Sequence, residues 1–415
     1  MQTRLDPDLL ATDAGQEADS ILRSCVQCGF CTATCPTYQL RGDELDGPRG
    51  RIWLIKEMLE RDAAGPETQL HLDRCLTCRA CETTCPSGVR YGRLLEIGRE
   101  RLEQHVARPW RQRLLRRLLL TLVPWPRRFR PLLRSGQWLR PVLPQRLRDL
   151  VPMLQTGAGR VPDQYGFGRR VILLAGCVQS LATPVTNRAT QRVLNALGVG
   201  GVEASAAGCC GALPQHMAEP EAAREMARRN VDAWWPLLEQ GAEALVMTAS
   251  GCGVQVRDYG VVLASDPDYA DRAAELAQRT LDLSEFLIGE DLSSWRLPEP
   301  QRVAWHAPCT LQHGQRITGL VERLLDGIGC QRVPVADAHL CCGAAGSYAI
   351  LQPQLSRQLR DAKIRALSQH EPDRAVTANV GCQMHLAAAE ELPVQHWVQL
   401  MAEARPRDQP AYPRP

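Results

Sequence analysis

Two cysteine runs of identical spacing constrain this 415-residue chain more than any other feature of its sequence. Both follow the pattern C-x2-C-x2-C-x3-C-P, in which three cysteines bind one [4Fe–4S] cluster and the fourth binds the other cluster. We therefore expect one cluster on the first set of four and a second cluster on the other set: Cys25, Cys28, Cys31 and Cys85, then Cys75, Cys78, Cys81 and Cys35.

A pair of zinc sites is the alternative for these runs. Zinc sites use well-separated C-x2-C pairs and need neither three cysteines in steps of three nor a C-P ending, so the spacing favours clusters. Apolar residues recur at helical spacing in residues 51–61, and residues 92–107 also look helical. Residues 1–107 are therefore predicted to form a mostly helical ferredoxin-like domain with two [4Fe–4S] clusters.

A basic segment follows this predicted domain. Residues 108–148 contain twelve arginines and no Asp or Glu, although the whole chain has a net charge of only +3. Trp110, Trp125, Phe129 and Trp138 lie among the arginines. We predict a connector over residues 108–165, which either wraps over its own domains and partners or contacts an anionic membrane surface. Nucleic acid is not expected as a partner, because no binding motif accompanies the charge.

Two Cys-Cys-Gly motifs belong to a duplicated unit. The first two cysteines of each copy are 32 residues apart, and the second member of each Cys-Cys pair precedes the last cysteine by 42 residues in one copy and 40 in the other. Matched spacing of this kind indicates an internal repeat. The repeats are predicted over residues 166–290 and 291–405. Their cysteines are Cys177, Cys209, Cys210 and Cys252 in the first repeat, and Cys309, Cys341, Cys342 and Cys382 in the second.

Short apolar runs alternate with helical segments in both repeats, which predicts parallel sheets covered by helices. The first and last cysteine of each copy directly follow such runs, so we expect them at the carboxyl edge of a sheet, where ligands collect. Each repeat then offers four thiolates for a further iron–sulfur cluster, and the alternative is structural burial of the thiols. Cys330 falls outside the pattern and is read as an ordinary buried thiol. The predicted fold class is α+β multidomain: a mostly helical two-cluster domain followed by a duplicated α/β Cys-Cys-Gly domain.

Three histidines lie near the Cys-Cys-Gly cysteines in the sequence: His216, His306 and His313. A histidine there can transfer protons, since its pKa suits that role, or donate a hydrogen bond to cluster sulfur or backbone. The hydrogen-bonding role is the favoured interpretation.

The chain resembles the iron–sulfur subunit of bacterial glycolate oxidase (glycolate dehydrogenase) over nearly its whole length. The resemblance is carried by both Cys-Cys-Gly copies and by ILRSCVQCGFCTATCPTY (residues 21–38), GDELDGPRGR (42–51) and HLDRCLTC (71–78). It implies flavin subunits with FAD that oxidise glycolate to glyoxylate, while this chain carries electrons towards a quinone. The chain itself is expected to have no catalytic residues and no substrate-oxidising site.

The Cys-Cys-Gly units also resemble parts of heterodisulfide reductase and of the anaerobic glycerol-3-phosphate dehydrogenase small subunit. Heterodisulfide reductase-type copies end in C-x2-C, whereas Ala249 and Asn379 stand at that position here. A cubane cluster on four thiolates and an empty site in one repeat both stay open. Other functional readings are the same subunit of a lactate, glycerol-3-phosphate or heterodisulfide enzyme, and a non-redox iron–sulfur scaffold.

The N-terminal residues show no signal pattern, and no run of about 18 apolar residues is present. The seventeen cysteines are therefore read in a reducing cytosol, where metal ligation is favoured over disulfides. We expect a cytoplasmic protein, peripheral on the inner membrane.

Overall fold

The computed structural model describes residues 1–155 and 167–406. The N-terminal part is helical, and both helices predicted there are confirmed. Its α-helices are Pro7–Leu10, Asp13–Ser24, Pro36–Arg41, Pro48–Arg61, Pro66–Asp73, Ala80–Thr84 and Tyr91–His105, with 3-10 turns at Phe30–Thr32 and Glu44–Asp46.

The helix Pro48–Arg61 organises the core of this part. Proline at its first position suits a helix start, because the missing N–H has no partner there in any case. Ile52, Ile55 and Leu59 fall on one face and are buried against the helix Tyr91–His105. One cysteine run precedes this helix along the chain and the other follows it, so the packing holds both runs in place.

The basic connector is helical. It forms helices at Trp110–Leu122, Pro126–Leu139 and Gln145–Arg148, with a 3-10 turn at Arg140–Val142. Some of its arginines dock it onto the body: Arg116 donates to the Met217 carbonyl at 2.6 Å, and Arg140 pairs with Glu390. These two arginines pack the connector on its own chain, while the connector as a whole stays a prediction. The end of the predicted connector lies outside the described residues.

Two parallel sheets make up the duplicated unit, as predicted. The strands are β1 Arg169–Leu173, β2 Val199–Glu203, β3 Leu245–Met247, β4 Thr280–Asp282, β5 Trp295–Arg296, β6 Arg302–His306, β7 Gln331–Val333, β8 Arg374–Thr377, β9 Val394–His396 and β10 Arg405–Pro406. The first sheet has the order β2-β1-β3-β4 and the second has the order β7-β6-β8-β9. The equal order in the two sheets agrees with a duplication, and β5 and β10 form a short antiparallel pair.

Helices cover both sheets. In the first repeat they are Gln179–Ala182, Pro184–Ala196, Ala212–His216, Pro220–Glu239, Ser250–Arg257, Tyr259–Val262, Ala270–Gln278 and Leu283–Leu287. In the second they are Leu320–Gly327, Tyr348–Leu351, Pro353–Ser368, Val380–Ala387 and Trp397–Glu403, with a π turn at Thr310–Gly314. The α+β multidomain fold class is confirmed. The domain boundaries 1–107, 108–165, 166–290 and 291–405 stay predictions.

The two repeats share one hydrophobic core. Val171 and Val193 of the first repeat belong to the same buried cluster as Val303 and Trp397 of the second. The carboxyl ends of the sheets also meet, since His396 Nε2 donates to the Thr248 carbonyl at 2.8 Å. The cysteines at both sheet edges therefore lie on a common side of the unit. Within the two described ranges, no helix is long and apolar enough to cross a membrane.

Candidate iron–sulfur centres

The backbone of the two cysteine runs turns in the same unusual way. Gln27 and Gly29 have φ of 59° and 83°, and the residues at the same places in the second run, Thr77 and Arg79, have 54° and 57°. Left-handed φ is costly for a β-branched residue such as threonine. The chain adopts it at both copies, where it curls each C-x2-C-x2-C segment around one point.

The first set of thiols comes together as the spacing predicts. Cys25, Cys28, Cys31 and Cys85 line one pocket, which Tyr91 and Cys81 of the second set also border. Burial raises the pKa of the Cys31 thiol to about 11, and the charges of the three other thiols act in the same direction. Four thiolates at this place therefore need a cation between them. The pocket opens to solvent, because Cys28 is exposed.

The second set, from Cys75, Cys78, Cys81 and Cys35, lies deeper. Burial raises the pKa of Cys78 and Cys81, and the charges of the neighbouring thiols in the set add to the effect. The Cys75 sulfur accepts hydrogen bonds from the Thr77 N–H at 3.5 Å and from the Tyr91 hydroxyl at 3.6 Å. Both sets have the donor chemistry of a [4Fe–4S] site.

A buried ion network supports the second set, and sequence reasoning missed it. Asp46, with a fully buried side chain, accepts from Arg74 Nη1 at 2.9 Å and from His71 Nδ1 at 2.8 Å. Arg51 is 1% exposed and donates to the His71 carbonyl and to Thr37 Oγ1. The signal was present in the sequence: Arg51 falls on the helix face that Ile52, Ile55 and Leu59 bury. A cation there needs a partner.

The glycine of each Cys-Cys-Gly motif is required by the backbone. Gly211 and Gly343 have φ of 89° and 90°. A Cβ on Gly343 would also lie 2.7 Å from the Ser356 carbonyl oxygen, closer than packing permits. Glycine therefore allows the turn that aims two adjacent thiols at the same edge of the sheet.

The four thiols of the first repeat are neighbours. Cys177 Sγ donates to Cys209 Sγ across 3.5 Å, which raises the pKa of Cys177 and lowers that of Cys209. Hydrogen bonds with Cys209 and Cys252 raise the pKa of Cys210. Asn230 holds the turn, because its side-chain amide donates to the Cys209 carbonyl at 2.9 Å.

The second repeat repeats this arrangement with one addition. Cys309 and Cys341 have their sulfurs 3.7 Å apart, and Cys342 lies against Cys382. His306, which is 2% exposed, has one ring nitrogen within 4.8 Å of the sulfurs of Cys342 and Cys382. The structure thus brings the sixteen sequence-predicted cysteines into four groups of four. Cys330 lies apart from all of them, in the apolar core that the repeats share.

The second ferredoxin-type set touches the second repeat. Cys78 packs against a buried cluster that contains Leu76, Cys309 and Cys341. The Tyr348 hydroxyl donates to the Arg74 carbonyl at 3.1 Å across the same junction. Three sets of cysteines therefore follow one another in space: the exposed first set, the buried second set and the set of the second repeat.

The other two histidines have separate surroundings. His313 Nε2 donates to the His339 carbonyl at 3.0 Å, and its Nδ1 lies 2.8 Å from Thr83 Oγ1. This agrees with the hydrogen-bonding role expected from the sequence, with backbone as the acceptor. His216 ends a short helix and is exposed.

Comparison with known proteins agrees with this geometry. Residues 21–89 match the model of the 4Fe-4S dicluster domain, and residues 171–257 and 303–387 both match the cysteine-rich domain. The chain is 50% identical to the glycolate oxidase iron–sulfur subunit of Escherichia coli (strain K12), over 97% of this chain and 99% of that protein. The chain belongs to this family of iron–sulfur subunits. The resemblance inferred from the motifs is thereby confirmed.

More distant relatives extend the picture. The chain is 32% identical to the probable glycolate oxidase iron–sulfur subunit of Bacillus subtilis (strain 168), over 89% of this chain and 90% of that protein. Lactate utilization protein A of Geobacillus thermodenitrificans (strain NG80-2) is 27% identical over 52% of this chain and 90% of its own length. A hypothetical protein from Helicobacter pylori has a similar fold, with a TM-score of 0.53, 13% identity, and 94% of this chain and 73% of that one covered.

Proposed function

We propose that this iron–sulfur subunit carries electrons in a glycolate-oxidising dehydrogenase. The observation that carries the proposal is the spatial order of three sets of cysteines, which leads from the protein surface to the second repeat. Each ferredoxin-type set combines three cysteines of one run with the last cysteine of the other, which is the ligand pattern of two-cluster ferredoxins. The ligands proposed are Cys25, Cys28, Cys31 and Cys85 for one [4Fe–4S] cluster, and Cys75, Cys78, Cys81 and Cys35 for the other.

Electrons enter, on this proposal, at the first set. Cys28 is exposed there, and Val26 and Phe30 are 66% and 61% exposed beside it. Exposed apolar side chains at a cluster suit the docking of a protein partner. The partner proposed is a flavin subunit, which holds FAD and oxidises glycolate to glyoxylate. A quinone is the proposed acceptor, and no substrate-oxidising site is assigned to this chain.

Iron content tests the two-cluster assignment. We expect anaerobically purified protein to hold at least about eight iron atoms with matching acid-labile sulfide, since two [4Fe–4S] clusters need that number. Electron paramagnetic resonance (EPR) after reduction should show two interacting clusters. Stoichiometric zinc without sulfide would contradict the assignment and restore the zinc reading, and clusters that cannot be reduced would favour a scaffold.

A substrate panel tests the partner assignment. The lactate utilization proteins match about half of this chain, whereas the glycolate oxidase subunits match nearly all of it. We expect the complex that co-purifies with this chain to contain flavin and to oxidise glycolate faster than lactate or glycerol 3-phosphate. A complex that prefers one of the other substrates would replace glycolate in the proposal and leave the electron-carrier role in place.

We further propose that the connector places the subunit on the cytoplasmic face of an anionic membrane. Trp110, Leu114 and Leu118 are 63%, 50% and 45% exposed. Their spacing of four residues makes them one stripe along the helix Trp110–Leu122. Exposed arginines flank the stripe, and apolar residues bordered by arginine suit a helix lying in a membrane interface.

Charge removal from this helix tests the membrane contact. Each basic residue near an anionic surface is worth about 1 kcal/mol. Arg113→Gln with Arg117→Gln, both at exposed positions, is therefore expected to weaken binding to phosphatidylserine-containing vesicles by about 2 kcal/mol, or roughly 30-fold. Cosedimentation at low salt measures it, and binding should fall as salt rises.

The matched control removes two exposed arginines elsewhere, Arg279→Gln with Arg323→Gln. It has the same change in net charge and should bind vesicles as the wild type does. If wild-type protein ignores the vesicles, the stripe instead contacts a partner subunit.

A further inference from the structure

The second repeat contains a buried histidine that the first repeat lacks. His306 ends β6 and precedes Cys309 by three residues, while the residue three before Cys177 is Leu174, which packs in an apolar core. Neither ring nitrogen of His306 has a hydrogen-bond partner among the described residues. Buried polar groups are nearly always paired, so this ring points to a bound group as its partner.

The ring of His306 is aimed at two of the four thiols in its repeat. The ligand atoms of His306, Cys342 and Cys382 all lie within 4.8 Å of one another, and all three side chains are buried. They come from three separate places: the end of a strand, the Cys-Cys-Gly turn and the helix Val380–Ala387. Imidazole with thiolates is a donor set that binds iron or zinc.

A second difference between the repeats lies on the long helix beside each site. Lys363 stands ten residues into the helix Pro353–Ser368, where the corresponding helix Pro220–Glu239 has Asn230. Lys363 is 3% exposed and donates to the Asp337 carbonyl at 2.6 Å. The second site therefore has an imidazole and an ammonium group where the first has a leucine and an amide.

We propose that His306 is a ligand of iron in a third iron–sulfur centre, which it holds together with Cys342 and Cys382. Neutral imidazole brings less negative charge to a centre than thiolate does, and replacing thiolates by imidazoles raises cluster potentials. The centre would thus accept electrons at a more positive potential than an all-thiolate cluster in the same place. That consequence rests on the proposed electron-carrier function, whereas the ligation itself does not.

Pulsed EPR on the full-length protein, purified anaerobically with 15N-labelled histidine, tests the ligation. We expect a reduced centre, additional to the two ferredoxin-type clusters, with a 15N coupling of the strength of a metal-bound imidazole. His306→Leu restores the first-repeat residue and should abolish the coupling. His306→Cys should also abolish it, keep the iron and move the midpoint potential of this centre to a more negative value.

His313→Gln is the matched control, because His313 is a buried histidine of the same repeat with protein partners at both nitrogens. It should leave the coupling intact. The proposal is overturned by zinc at this site, by the absence of metal beyond the two clusters, by a coupling that survives His306→Leu, or by the weaker coupling of an imidazole that only hydrogen-bonds to sulfur. The 15N coupling in the wild-type spectrum tests the ligation by itself, so the test does not depend on whether a variant folds. Iron bound by the two ferredoxin-type sets tests the proposed function separately.

Discussion

Serine in place of both Cys341 and Cys342 is expected to stop electron flow out of the ferredoxin-type clusters. The pair belongs to the repeat that packs against Cys78, so it stands next after the second set of thiols. Changes around metal ligands cost about 10–100-fold in activity, and loss of the proposed ligand Cys342 together with its neighbour Cys341 should lower quinone reduction by more than about 100-fold. The measurement is glycolate-dependent reduction of a quinone analogue by the complete complex.

The same preparation carries its own check. EPR signals of the two ferredoxin-type clusters should persist, because their eight cysteines are untouched. The matched control is Cys330→Ser, which changes a thiol of similar burial in the same repeat, whose pKa burial raises to about 12. It should reduce quinone at the wild-type rate. Unchanged quinone reduction in the double variant would mean that the Cys-Cys pair only packs the loop.

The cysteine grouping could be predicted from the sequence because spacing alone carries it. In each run the first three cysteines are three residues apart and bind one cluster. The fourth cysteine binds the cluster of the other run. The strands before Cys177 and Cys309 were likewise readable, since short apolar runs between helical segments predict parallel strands. Gly211 and Gly343 follow the same logic, because only the turn they permit puts adjacent thiols on one edge.

Contacts between distant parts of the chain could not be read in this way. Nothing near Cys78 in the sequence points to Cys309, and nothing near Arg74 points to Tyr348, yet both pairs meet. Such contacts depend on how finished domains pack. The sequence pattern does not distinguish one connector arginine from another. In the structure Arg116 differs from the exposed ones, because it holds its helix against the body through the Met217 carbonyl.

Glutamine in place of Arg51 is expected to destabilise the ferredoxin-type domain strongly. The Arg51 guanidinium is buried 3.7 Å from Asp46 and lies within reach of the charges of Cys75 and Cys35. Arg74 still pairs with Asp46 in this variant, but the charges of Cys75 and Cys35 lose a buried cation. Removing one partner from a buried ionic group costs about 3–5 kcal/mol. Urea titration of the holoprotein, monitored by cluster absorbance, should show release of iron at a lower urea concentration than in the wild type.

Arg49→Gln is the control that separates burial from charge. Arg49 lies two residues earlier on the same helix and pairs with Glu44 at 2.6 Å, but its side chain is 38% exposed. Exposed pairs are worth about 0–1 kcal/mol, so this variant should release iron close to the wild-type midpoint. Arg51→Lys should fall between the two, since lysine keeps the charge but cannot reproduce the fork of hydrogen bonds to Thr37 and the His71 carbonyl.

In protein that retains its clusters, the second cluster of Arg51→Gln should also have a more negative midpoint potential, because reduction adds negative charge beside a site that has lost its cation. Equal iron release and equal potentials in the Arg49 and Arg51 variants would show that the buried network supports neither the domain nor the cluster.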